Sequence, residues 1–153
     1  MTIRPYTPED CEPLIEVFRT SVRRKGIRDY SLAQVTAWAP DEIDPARWNG
    51  RRLSRPTWVA ELDGNIVGFS DLEPDGHVDM LFVDPDFQGR GVASVLLQFV
   101  ESVALKQGLK RLYAEASIGA RPVFERAGFR VIAPQTVVIR GQSLTNYRME
   151  KML

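Results

Sequence analysis

HVDMLFVDPDFQGRGVAS, residues 77–94, decides how the rest of the chain is read. An apolar run through Val83 stops at Asp84 and Pro85, and Gly89 and Gly91 stand directly before a second apolar stretch. That second stretch has helical spacing: Val92, Val95, Leu96, Phe99, Val100 and Val103 form one stripe, closed by Gly108. The order is strand, glycine loop, helix. Glycine at a helix start signals close approach to the backbone, and a helix N-terminus offers unpaired N–H groups at the positive end of a dipole. Gln88, Gly89, Arg90, Gly91, Val92, Ala93 and Ser94 can converge several N–H groups on one anion, with Arg90 adding charge. A phosphate-bearing ligand is the expectation. GRGVAS lacks the Gly-Lys-Ser/Thr ending of a P-loop, and a dinucleotide fingerprint needs a glycine where Ser94 stands.

Outward from this stretch the pattern stays regular. TWVAELDGNIVGFSDLE, residues 57–73, reads as two strands joined at Asp63-Gly64-Asn65, and HVDMLFV follows the turn at Gly76 as the third strand. Before them come a short strand in MTIRPYT, a helix capped at Thr7 with Pro8 in its first turn and ended by Gly26, and a second helix over Ser31 to Ala39. A third helical piece starts near Asp44, with Gly50 as its terminator. After the glycine-led helix, RLYAEAS is a strand, GARPVFERAGF a short helix closing at Gly128, and FRVIAPQTVVIR and SLTNYRMEKML two strands around Gly141. Helices, a meander, then one strand-helix-strand crossover predict an α/β (α+β) fold. Its sheet is mixed and mainly antiparallel, with a central parallel strand pair flanked by helices, in a single domain covering residues 1–153.

Composition bounds the function. Twenty basic and 20 acidic residues give zero net charge, which offers no case for general nucleic-acid binding. One cysteine, Cys11, excludes an internal disulfide, and no leader or long apolar run is present, so a cytoplasmic protein with no membrane contact is expected. One cysteine and one histidine argue against a zinc site, and no metal is expected.

Gln88-x-x-Gly91-x-Ala93 after LFVDP resembles the acyl-CoA pyrophosphate loop of the GNAT superfamily of acetyl-CoA-dependent N-acetyltransferases. Family members also carry a strand ending in Asn-x-x-Ala before a short helix closing on Gly-Phe; here Ser117-Ile118-Gly119-Ala120 leads to Phe124, Gly128 and Phe129. The likeness runs from Thr2 to Leu153 and is strongest to the bacterial YafP-like branch, which shares the YSxxQ, AWA, DMLFVDP and FERxGF stretches. It implies acetyl-CoA as acyl donor, its pantetheine arm in a gap between splayed parallel strands and bonded to the backbone of Leu81, Phe82 and Val83. The pyrophosphate then lies on residues 88–94, and Ser117, Ala120, Arg121 and Phe124 contact the cofactor. A homodimer is compatible with an enzyme of this size.

Acetyl transfer needs a deprotonated amine, oxyanion stabilisation and a proton for the departing thiolate. His77 is the only imidazole, and Asp79 stands two residues on; both are candidates for the base or for holding a cationic amine. Many relatives carry a tyrosine acid where this chain has Phe124, which leaves water, Ser117, Tyr113 or Tyr147 as the proton source. Arg23, Arg24, Lys25 and Arg28 form one basic cluster, and Arg47, Arg51, Arg52 and Arg55 a second. Tyr30, Trp38 and Trp48 are candidates to line the acceptor pocket. The function expected is direct N-acetylation of a primary amine of a small molecule, peptide or protein. Two rivals stand beside it: a non-catalytic acyl-CoA sensor or binding module, suggested by Phe124, and a toxin-like acetyltransferase acting on aminoacyl-tRNA, suggested by the arginine clusters.

Overall fold

The computed structural model describes every residue from Met1 to Leu153. After the opening strand β1 (Thr2–Pro5) the chain turns at Thr7, whose N–H and hydroxyl donate to the Asp10 carboxylate at 2.9 and 3.2 Å. A single 3₁₀ turn leads into α1 (Cys11–Gly26). Helix α2 (Leu32–Trp38) opens on a reciprocal cap: the Ser31 hydroxyl accepts the Gln34 N–H at 3.1 Å, and the Gln34 side chain accepts the Ser31 N–H at 2.7 Å. In α3 (Pro45–Leu53) the Asp44 carboxylate caps Ala46, and the helix continues through Gly50, which is not the terminator expected. A glycine ends a helix by turning left-handed, and Gly50 does not.

Two antiparallel sheets follow. One has the order β1-β2-β3-β4, with β2 (Thr57–Leu62), β3 (Asn65–Asp71) and β4 (Leu81–Val83); the other has the order β5-β7-β6, with β5 (Arg111–Ala116), β6 (Arg130–Ile139) and β7 (Gln142–Met152). Helix α4 (Val92–Lys106) crosses from the first sheet to the second, and α5 (Arg121–Arg126) joins β5 to β6. Val92 and Leu96 of α4 pack on Ala60, Val67 and Val83, while Leu14 and Phe18 of α1 pack in a separate cluster with Val59 and Phe69. Helices therefore cover both faces of the first sheet.

The expected parallel pair is real but reduced to one bridge, His77 with Tyr113. Val78 donates to the Tyr113 carbonyl at 2.9 Å and Tyr113 to the Gly76 carbonyl at 3.1 Å; past Val78 no backbone bond joins the two strands. The expected strand over residues 77–83 is regular only from Leu81 to Val83. The cause is Asp71, whose Oδ1 accepts the N–H of both Asp79 and Met80 at 2.9 Å. In a regular strand successive N–H groups point to opposite sides, so two in a row on one oxygen require a bend.

Gly76 makes the bridge possible. Its φ is +97°, and a Cβ there would lie 2.2 Å from the Arg111 carbonyl oxygen. Gly76→Ala is expected to cost about 2 kcal/mol or more, from left-handed strain plus a backbone collision, and to lower the calorimetric Tm by about 5 °C.

Candidate active site

Gly89 and Gly91 both adopt φ of +76°, and open space surrounds their missing side chains. Glycine is required there by backbone conformation and not by crowding. The left-handed turn at Gly91, the residue that caps α4, leaves the N–H groups of residues 89–94 without an acceptor anywhere in the chain. Six consecutive positions thus offer donors at the helix start, at the positive end of its dipole. Arg24 ties α1 to this segment through Asp86 at 2.9 Å, and the Arg90 guanidinium lies 5.6 Å over the Phe87 ring.

Below the loop the bend at Asp79 opens a wedge between β4 and β5. One cavity on the α1 side is lined by Leu81, Phe82, Val83, Ala93, Ser117 and Ala120, together with Lys25 and Tyr30. A narrow continuation reaches Val78, Glu115 and Phe124. On the other side of Phe82 a cavity of about 270 Å³ is lined by Tyr30, Trp38, Asp79, Met80, Glu115 and Ser117. Phe82 and Ser117 line all three, so the two main cavities meet at those residues. Phe82 is held by edge-on contact with Phe18 at 4.9 Å.

The polar floor of the wedge is a chain of charges. His77 lies between two carboxylates, Nδ1 at 2.7 Å from Glu73 Oε1 and Nε2 at 2.7 Å from Glu115 Oε2, and stacks on Tyr113 at 4.7 Å. The Glu115 bond, opposed by burial and reinforced by Glu73, raises its pKa to about 9. At neutral pH His77 is an imidazolium, not the neutral base near pH 7 that its residue type suggests. Arg55 Nη1 reaches Glu73 at 3.0 Å and Asp79 at 3.3 Å.

Most of the expected site residues converge. Leu81, Phe82, Val83, Ala93, Ser117, Ala120 and Phe124 line the wedge, and Gln88 to Ser94 form the loop at its mouth. The Ser117 hydroxyl accepts from Ala120 N–H at 3.1 Å and keeps its own proton uncommitted within the chain. Asp79 lines the acceptor-side cavity, whereas His77 is one step behind it, reached through Glu115. Arg121 points elsewhere: its guanidinium covers the Tyr147 ring at 4.7 Å and pairs with Glu125 at 3.2 Å. Tyr113 donates to Asp75, away from the wedge. Phe124 is buried edge-on against Phe129. Cys11 is buried, donates to the Pro45 carbonyl at 3.3 Å and touches none of these cavities.

One group, Glu115, and one role, that of the Tyr30 hydroxyl, are absent from the sequence reading. Glu115 faces the wedge because β5 alternates, Leu112, Ala114 and Ala116 being buried; that alternation was readable in RLYAEAS. Tyr30 also borders both main cavities as more than a wall, its hydroxyl donating to Thr145 O at 2.7 Å and accepting Ile118 N–H at 3.1 Å. No local pattern announces that bridge.

This loop, wedge and element order define a GNAT acetyltransferase, and the chain belongs to that family: the model described as an acetyltransferase (GNAT) domain matches residues 26–151. It is an acetyl-CoA-dependent N-acetyltransferase. The chain is 40% identical over 148 residues to the uncharacterized N-acetyltransferase YafP of Escherichia coli, covering 96% of this chain and 93% of YafP. It is similar to the crystal structure of a GCN5-related N-acetyltransferase from Rhodopseudomonas palustris, with a TM-score of 0.95 and 36% identity over 99% of this chain and 95% of that one. The fold also matches the PaiA N-acetyltransferase of Thermoplasma acidophilum, solved with coenzyme A, at a TM-score of 0.81 with 19% identity and full coverage of both chains. Neither the sensor nor the tRNA-directed reading is favoured by these likenesses.

Gly91→Ala forces a left-handed alanine at about 1 kcal/mol or more. The KM for acetyl-CoA is expected to rise roughly fivefold, measured by thiol release at saturating acceptor. For His77 the sign follows from a folded pKa above the ordinary 6.5. Its stabilisation is complete below about pH 6.5 and lost as pH rises through about 9. Urea midpoints of the wild type and His77→Gln should therefore differ most at pH 6 and converge by pH 10.

Proposed function

We propose that the enzyme acetylates a primary amine held in the cavity between Asp79 and Glu115, by direct transfer and without an acetyl-enzyme. The observation that carries this reading is the meeting of donor-side and acceptor-side cavities at Phe82 and Ser117, with two carboxylates on the acceptor side. Bound acetyl-CoA supplies the thioester whose carbon–sulfur bond breaks as the carbon–nitrogen bond forms. The loop N–H groups of residues 89–94 take the pyrophosphate, and the free edge of Leu81 to Val83 takes the pantetheine arm. Asp79 and Glu115 attract the ammonium form of the acceptor. Glu115 then passes the amine's proton to His77 during the fraction of time that His77 is neutral. A base with pKa about 9 is closely matched to an alkylammonium near 10, so the transfer is nearly balanced. Ser117, whose proton is uncommitted, relays a proton from water to the departing thiolate, passing on its own as it takes the water's, in place of the tyrosine that Phe124 replaces.

The buried position of Cys11 away from the wedge supports direct transfer over a ping-pong route. No helix is long and apolar enough to cross a membrane, and a free thiol suits a reducing cytoplasm, where we place the enzyme, pairing as a homodimer.

The expected pH profile of kcat/KM rises to a limb near pH 9. Glu115→Gln should lower kcat about a hundredfold and remove the limb, while Asp79→Asn raises the acceptor KM. A Glu115→Gln enzyme with the wild-type rate and limb would overturn the proton route. An acetylated Cys11 trapped during turnover would overturn direct transfer.

A further inference from the structure

Beyond the amine cavity, and sharing Phe18, Trp38 and Met80 with it, lies a second cavity of about 480 Å³ under α3. Its charged lining is unbalanced: Arg47, Arg51, Arg52 and Arg140 against Glu42 and Asp44. Asp44 is already committed to capping α3, and Arg140 to the Ala37 carbonyl at 2.7 Å.

Arg52 is the unusual member. Its side chain is 1% exposed, yet Nε and Nη1 have no hydrogen-bond partner. The Asp71 carboxylate neutralises it only from 3.9 Å, too far for a hydrogen bond, and the guanidinium stacks over the Trp48 ring at 4.8 Å. Buried guanidinium donors without partners are costly unless a ligand supplies the acceptors. Two other partly buried arginines are tied down by short contacts: Arg4 to Asp10 and Glu61, and Arg55 to Glu73 and Asp79. Arg51 flanks the same cavity and stays exposed, its nearest carboxylate Asp79 at 3.9 Å.

We propose that this cavity is an anion subsite of the acceptor pocket, in which Arg52, assisted by Arg51 and Arg47, binds a carboxylate or phosphate carried by the amine substrate. The proposal rests on the amine-acceptor reading above. It narrows the substrate class to amines that bear an anionic group across an apolar body. The amine lies at Asp79 and Glu115, the apolar middle passes Phe18, Trp38 and Met80, and the anion ends at Arg52, whose Nε and Nη1 have no hydrogen-bond partner. Guanidinium suits either anion because its donors form a planar fork.

Two measurements test it on the full chain. The first is thiol release from acetyl-CoA with matched acceptors: ω-amino acids of increasing length, their neutral amides, and the corresponding aminoalkyl phosphonates. Acids or phosphonates should exceed the amides by about tenfold or more in kcat/KM, mainly through KM, and whichever series wins identifies the anion. In Arg52→Gln that ratio should fall toward one. The same fall is expected in the surface pair Arg47→Gln/Arg51→Gln, which is read instead if Arg52→Gln fails to fold. Equal use of acids, phosphonates and amides by the wild type would overturn the proposal.

The second is titration of the unliganded protein with inorganic phosphate and, separately, acetate, read from the fluorescence of Trp48 beneath Arg52 and compared with Trp48→Phe. Saturable change in the wild type that is lost in Arg52→Gln, or in the surface pair, supports the subsite. No saturable change with either anion overturns it. Should no amine be acetylated, the fault lies with the amine-acceptor reading, and this titration alone decides the subsite.

Discussion

One buried carboxylate sets the shape of the active centre. Asp71 ends β3 and is fully buried, and its Oδ1 takes two consecutive N–H groups that would otherwise point to opposite sides of a strand. The chain bends at Asp79 and Met80, so Leu81 to Val83 stay on β3 while β5 diverges from them. The wedge, the free backbone edge of β4 and the meeting of the two cavities all depend on that bend. Burial pushes the Asp71 carboxyl up to about 6, against the pull of the Met80 N–H and the guanidiniums of Arg52 and Arg55. The carboxylate is therefore ionised at neutral pH, and its charge holds the two arginines that reach toward the acceptor side.

From Asp71 the same electrostatics run outward through Arg55 to Glu73 and Asp79, and from Glu73 through His77 to Glu115. Apart from the local Glu73–His77 pair, the links join elements separated in sequence: the segment after α3, the turn after β3, and β5. The arrangement fixes Glu115 by a short bond to an imidazolium, which costs that side chain little further entropy when an amine arrives. On the proposed proton route it would also tie proton removal to a histidine of raised pKa, so that base strength and substrate positioning share one network.

The glycine loop and the helix start are legible in the sequence because they are local. Gly89 and Gly91 encode left-handed backbone, Val92 onward encodes the helix, and the N–H groups between them need nothing from elsewhere. The element order and nearly every boundary followed from the same kind of signal, as at Ser31 and Asp44, where a capping side chain reads only its own helix. The failures are non-local. HVDMLFV has the composition of a strand, and only a carboxylate from β3 keeps its first half out of the ladder. His77 was noticed by residue type, but its protonation depends on Glu115, 38 residues on, through a parallel bridge that no periodicity specifies. In the sequence Arg52 is one of four arginines in a basic cluster, and nothing local marks its burial, which depends on Trp48 and Asp71 closing around it.

The two halves of the pocket therefore have different freedom to change. On the proposed reading main-chain groups bind the donor, so substitutions along β4 and the loop would preserve recognition provided that the glycines and the bend at Asp71 persist. On the same reading the acceptor wall is made of side chains, from α1, α2, α3, β5 and the hairpin of β6 and β7, and not of main-chain groups. A chain 40% identical to YafP can keep the donor chemistry intact and still differ in acceptor. In this chain that wall carries a pair of carboxylates at the near end and, at the far end, a buried guanidinium whose Nε and Nη1 lack hydrogen-bond partners. Opposite charges at the two ends of one apolar passage select for orientation as well as for composition, because a reversed amine would set its cation against Arg52 and its anion against Asp79 and Glu115.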